Sequence, residues 1–234
     1  MATTFSADEA RAAIKEHGFF SIQDGELGKR FLEMESKKWS FSFKTVEGFN
    51  FCKANVLKDT RVQDTLSAFK RPHILADYTR LAPSRGTIFQ LRRGGNDDVL
   101  LVHLWGIGSS PIYYRKSQDA DLWRILATNN LWQVLGAELK AAGCLGTPIN
   151  FKDGGLVILD ARLAVDFGDT SPVVAAFATP EVLKKRPMDW PLLSIPNSLK
   201  PSELAGMNIH AALEEKESAR EGRAEEASDG ECSV

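Results

Sequence analysis

The sequence predicts an α+β fold, mainly β, with helices near the N-terminus and an antiparallel sheet system after them. Three observations carry this. Segments with helical spacing and capping residues fill the first third of the chain. From Arg85 onward, short apolar runs alternate with clusters of Gly, Ser, Asn and Asp. The links between those runs are too short for a crossover helix, which excludes βαβ units and leaves antiparallel, hairpin-rich pairing.

The elements follow in order. Ser6, with Glu9 three residues on, reads as a capping box for a helix to about His17, and Gly18 ends it. Phe19–Ile22 is a short strand. Leu27, Phe31 and Met34 share one face of a second helix over about Glu26–Lys37. Phe41, Phe43, Phe49 and Phe51 alternate, which predicts strands around a turn at Glu47-Gly48. Asp59 or Thr60 caps a third helix carrying Val62, Leu66 and Phe69; Pro72 interrupts it, and Ile74–Tyr78 reads as another short helix. Then come strands at Thr87–Arg92, Val99–Trp105 and Ile112–Arg115, with turns at Gly94–Asp98 and Gly106–Ser110. A helix at Leu135–Ala142 stops at Gly143. Gly154–Asp160 and Val173–Ala178 are apolar strands, and a short helix covers Pro201–Leu213. From Leu213 to the end there are eight acidic and three basic residues and almost nothing apolar, so 213–234 reads as a disordered acidic tail after a single domain, 1–212.

Composition narrows the function. With 234 residues, 43% hydrophobic and 26% charged, the chain can bury a real core. A net charge of -2 argues against nucleic acid as a partner, and the basic groups Lys37-Lys38, Arg92-Arg93 and Lys184–Arg186 are scattered among acids. Three widely spaced cysteines, Cys52, Cys144 and Cys232, form neither a CxxC pair nor a disulfide framework. The N-terminal residues lack the apolar core of a signal peptide, and no run reaches the length of a membrane span. The expectation is a cytoplasmic protein with no membrane partner.

Standard active-site motifs are missing. None of His17, His73, His103 and His210 belongs to a His-x-Asp or His-x-Glu pair, the strand signature of an iron facial triad. His73 and Asp77 would share a face if their segment were helical. No GxSxG elbow is present, Cys52 reads as a small core residue, and Gly106–Ser110 lacks the features of a phosphate loop. Two clusters stand out. Gln90 and Arg92 share a strand face, and so do Asp160 and Arg162. Charged residues pointing into a β-sandwich must be paired, because leaving them unpaired costs several kcal/mol. Two readings stay open: a structural Arg–Asp pair closing the mouth of the barrel, or a polar pocket wall that binds a small anion or carbonyl.

Certain segments resemble the phytanoyl-CoA dioxygenase-like proteins of the 2-oxoglutarate/Fe(II) oxygenase superfamily, over about residues 7–180. The run Ile14–Ile22 is similar to that family's helix leading into "HGF" and a short strand. Val99–Trp105, Gly108-Ser109 and Ile112–Ser117 resemble its central strand pair and "GSH" region. Gly154–Arg162 resembles the late strand before its second iron histidine. The resemblance implies a double-stranded β-helix, a cupin-like jelly roll with flanking N-terminal helices, of a type found in fungal specialised metabolism. It also locates four departures. Gln90-Leu91-Arg92 stands where the first His-x-Asp belongs, Val165 at the distal histidine, Ala175 near the 2-oxoglutarate-binding arginine, and Gln118 at the "GSH" histidine. These imply a member without iron ligands and with no cofactor. The expected function is binding of a small hydrophobic metabolite, with a cofactor-independent isomerisation, cyclisation or dehydration as the chemistry open to it. The candidate pocket residues are Gln90, Arg92, His103, Tyr113, Asp160 and Arg162. Two alternatives stand beside it: a non-catalytic subunit with a protein partner or as a homodimer, and an atypical Fe(II)/2-oxoglutarate enzyme using His103 with Asp97 or Asp98.

Overall fold

A computed structural model describes residues 5–91, 98–127 and 131–212. Helix α1 (Ala7–His17) starts where Ser6 accepts a hydrogen bond from the Glu9 N–H at 3.3 Å. It ends at Gly18, whose φ of 92° is cheap only for glycine. The reversal leads directly into β1 (Phe19–Gln23). Helix α2 (Gly25–Ser36), capped by Asp24, buries Leu27, Phe31 and Met34 as its spacing predicts. Helix α4 (Thr60–Ala68) is capped by Asp59.

Two local expectations are corrected. The alternating phenylalanines do not form strands. Thr45 accepts the Gly48 N–H at 3.2 Å and starts α3 (Val46–Cys52), which continues into a π-turn at Lys53–Leu57. Phe49, Cys52 and Val56 are fully buried at i, i+3, i+7, so helical spacing outweighed the period of two. After α4 (Thr60–Ala68), Ile74–Tyr78 is not a helix either: β2 (Ile74–Arg80) pairs with the late strand β11 (Val173–Ala178). His73 and Asp77 therefore share no helix face. Here sheet pairing overrode local propensity.

The remaining strands are β3 (Ile88–Gln90), β4 (Val99–Trp105), β5 (Ile112–Arg115), β6 (Arg124–Leu126), β7 (Trp132–Val134), β8 (Leu145–Pro148), β9 (Gly155–Asp160), β10 (Ala164–Asp166) and β11 (Val173–Ala178); α5 (Gly136–Ala141) lies between β7 and β8. They form a five-stranded sheet, β1-β9-β4-β11-β2, and a six-stranded sheet, β6-β7-β3-β10-β5-β8, each antiparallel throughout. Antiparallel pairing is as expected; the run of hairpins is not. Strands β3, β4 and β5 follow one another in sequence but alternate between sheets, so their partners are distant in the chain.

This exchange makes three layers. Helices α1–α4 pack on the outer face of the five-stranded sheet over Phe31, Phe49, Leu100, Val102, Leu104 and Ile158. Between the sheets lie Leu101, Trp105, Tyr113, Val157, Val165 and Phe167. A smaller cluster around Ile88, Val134 and Leu139 covers the outer face of the second sheet. All seven residues of β4 are buried, because both of its faces are covered.

After β11 the chain forms α6 (Pro180–Lys185) and sends Leu183 and Trp190 back into the inter-sheet core. Strands β12 (Leu193–Ser194) and β13 (Ala211–Ala212) pair in parallel, and α7 covers only Pro201–Leu204, stopping short of the predicted Leu213 near Gly206, at φ 78°. The predicted acidic tail 213–234 and most of the turn at Gly94–Asp98 lie outside the described residues. Among the described residues, no helix is long and apolar enough to cross a membrane.

Candidate functional site

Two groups of buried polar side chains stand out, one at the strand ends and one between the sheets. The first sits where β3 and β9 end and β10 begins. Phe89 turns into the space between the sheets, so its neighbour Gln90 turns to the outer face. This corrects the expectation that Gln90 lines the interior. Its amide is fully engaged: Nε2 donates to the Arg162 carbonyl and to the Ser117 carbonyl (3.3 Å), and Oε1 accepts from Arg124 Nε. The Ser117 hydroxyl in turn accepts the Ala164 N–H at 2.8 Å. Arg124 comes from β6, two strands away, and nothing local in the sequence marked it.

Asp160 and Arg162 form the expected pair across a tight turn. Arg162 donates Nε to Oδ1 at 2.9 Å and Nη2 to Oδ2 at 2.6 Å, and its backbone N–H adds a third bond to Oδ1. The side chains are 8% and 17% exposed, so the bidentate geometry and the extra bond are what offset the loss of solvation. Asp160 N–H also bonds the Gly18 carbonyl at 2.9 Å, tying this turn to the end of α1. Arg92, the remaining member of this set, lies outside the described residues.

The second group lies deeper. His103 projects from β4 between the sheets, fully buried. Its Nδ1 is 3.1 Å from the Tyr113 hydroxyl, and Trp105 Nε1 donates to that same oxygen at 2.9 Å. The Trp105, Tyr113 and Phe167 rings surround it at centroid separations of 6.1, 6.0 and 5.9 Å. Burial pushes the His103 pKa down to about 3, so the ring is neutral, and burial pushes the Tyr113 hydroxyl well up. His103 Nε2 finds no hydrogen-bond partner among the protein atoms. The structure thus joins Gln90 to Arg162 and His103 to Tyr113, but as two separate groups.

The buried cluster between the sheets also contains small side chains: Ala76, Ala161, Ala176 and Ala178. Leu183 and Trp190 belong to the same cluster. No sequence motif pointed to this arrangement, because each alanine comes from a different turn of the strand exchange or from alternate positions of β11. At the opposite end, a depression of about 320 Å³ is lined by Phe31, Leu32, Arg80, Ile107 and Thr170. Its Arg80 is already ion-paired to Glu35 and stacked on Phe41 at 4.6 Å. Among the described residues, no group of three or more His, Cys, Asp or Glu side chains is placed to hold a metal ion.

No protein-family model matches the sequence, and no curated protein matches it. Solved structures do resemble the fold. AviO1 from Streptomyces viridochromogenes Tue57 superposes with a TM-score of 0.51 at 12% identity, over 76% of this chain and 97% of AviO1. The epimerase SnoN, in complex with Fe3+, alpha ketoglutarate and nogalamycin RO, superposes with a TM-score of 0.53 at 8% identity, over 74% of this chain and 83% of SnoN. The chain therefore shares its fold with a non-heme alpha ketoglutarate-dependent enzyme of nogalamycin biosynthesis. At these identities the likeness speaks for the fold alone, because function is carried by the residues of a site.

Proposed function

We propose that this chain is a double-stranded β-helix protein of the oxygenase type that works without iron and binds a small hydrophobic metabolite of specialised metabolism. Chemistry open to such a site is a cofactor-independent isomerisation, cyclisation or dehydration. The observation that carries the reading is the state of Gln90. It stands where the family resemblance expects the first iron ligand, yet it faces away from the interior, and both ends of its amide are engaged. The described residues do not fit an iron site: Val165, at the expected distal histidine, is an apolar core residue, and no three-ligand group is present among them. The apolar surround of His103, which joins Ala76, Ala176 and Ala178 to aromatic rings in one buried inter-sheet cluster, supports an apolar ligand between the sheets.

An anaerobic thermal-shift titration with Fe(II) or Mn(II), with and without 2-oxoglutarate, tests the reading. Ligand at a hundred times its dissociation constant adds about 2.7 kcal/mol, which moves the midpoint of a domain this size by roughly 5–10 °C. A flat response is expected. A rise that needs both metal and 2-oxoglutarate overturns the iron-free reading.

One observation favours a second reading, an interaction subunit. β6 is an edge strand of the six-stranded sheet, and Trp123, Ile125 and Leu126 on or beside it are 57%, 45% and 54% exposed. Exposed apolar edges invite pairing with another chain. Light scattering that finds a monomer at every concentration, unchanged by Trp123→Ser, counts against a homodimer through this edge.

A further inference from the structure

The Trp105–Tyr113–His103 chain leaves one proton without an acceptor. An indole nitrogen only donates, so Trp105 Nε1–H gives its proton to the Tyr113 oxygen. If His103 Nδ1 also carried a proton, the Tyr113 oxygen would accept twice. Its own O–H would then have no acceptor in the chain, beside an unpaired Nε2. With Nδ1 as acceptor, the Tyr113 proton is placed, and a single group is left over: Nε2–H. Buried donors in folded proteins are nearly always paired, so this leftover donor calls for an acceptor the protein does not supply.

The strand register gives the donor a place. Along β4 and β11, Val99 faces Ala178, Leu101 faces Ala176, and His103 faces Val174. His103 therefore lies four residues in from the strand end, about 13 Å along an extended chain. Ala76, Ala176 and Ala178 belong to the same buried inter-sheet cluster as the rings beside His103. The rings around His103 carry no charge, and burial keeps the imidazole itself neutral. A carboxylate or phosphate placed there would be an unpaired buried charge. A ketone or aldehyde oxygen accepts a hydrogen bond at little desolvation cost.

We infer that His103 reads the ligand, its Nε2–H donating to the carbonyl oxygen of a neutral, otherwise apolar molecule held between the sheets. This rests on the small-molecule reading above and names the ligand class.

The test uses the full chain labelled with 15N-histidine and two probe pairs of matched shape: acetophenone with α-methylstyrene, and cyclohexanone with methylenecyclohexane. Without probe, the His103 resonances should report the Nε2–H tautomer and stay unchanged from pH 8 to pH 5. A ketone should shift the Nε2 resonance and raise the melting temperature, and its hydrocarbon twin should bind at least tenfold more weakly. In His103→Leu the twins should bind alike. An Nδ1–H tautomer overturns the inference. So do twins that bind the native chain equally without moving Nε2, although the small-molecule reading then survives. If no probe raises the melting temperature or shifts a resonance, both fall. Should His103→Leu fail to fold, the tautomer and the native twin comparison still decide.

Discussion

Acidification should destabilise this protein through His103, in a pH range where most carboxylates have not yet responded. A histidine in an unfolded chain takes up a proton near pH 6.5, whereas burial holds the folded His103 neutral down to about 3. Between these values the unfolded state binds one more proton than the folded state, so stability rises with pH there. The contribution is fully present above pH 6.5 and is lost progressively as pH falls toward 3. At pH 4.5, two units below the unfolded value, the loss is roughly 3 kcal/mol. That is a large fraction of the 5–15 kcal/mol typical of a folded domain. Urea denaturation of the native chain and of His103→Gln, at half-unit steps from pH 7 to pH 4.5, isolates the effect, because glutamine keeps a buried hydrogen-bonding group that does not titrate. The native curve should fall more steeply, by about 1 kcal/mol per pH unit. Parallel curves for the two proteins would refute the argument and place His103 in contact with water.

The other predictions concern packing and pairing. Asp160→Asn leaves the Arg162 guanidinium without its bidentate partner in a largely buried turn, and urea denaturation should show a loss of about 2–4 kcal/mol; a change under about 0.5 kcal/mol, the size expected at an ordinary surface site, would mean that the pair is not structural. Gly28→Ala puts a Cβ within 2.0 Å of the Asp153 carbonyl oxygen, so α2 must lift from the turn that precedes β9. A loss of about 2–3 kcal/mol is expected, and an unchanged denaturation midpoint would contradict this close approach. Cys52 is fully buried, and burial pushes its thiol well up. Mass spectrometry after alkylation at pH 8 should find Cys52 unmodified in the native chain and modified in urea; equal labelling in both would sink that expectation.

The sequence was enough for elements whose signals are local. Ser6, Gly18 and Asp59 act at helix ends through hydrogen bonds that span two to four residues, and the apolar runs Val99–Trp105, Gly155–Asp160 and Val173–Ala178 are strands because both their faces are covered. The Asp160–Arg162 pair was legible for the same reason, two residues apart on one turn. Phe41–Phe51 and Ile74–Tyr78 were misread because their patterns fit either element, and packing beneath the sheet or pairing with β11 decided between them. The candidate site was the least legible. That Gln90 faces outward follows from which side of β3 the second sheet buries, and its partner Arg124 arrives from another strand. Nothing in the order of residues sets His103 and Trp105 of β4 against Tyr113 on the facing sheet, nor Ala76 beside Ala176 and Ala178. Those meetings depend on strands crossing between sheets, a long-range choice fixed by burial of the whole core, and only the tertiary structure made it.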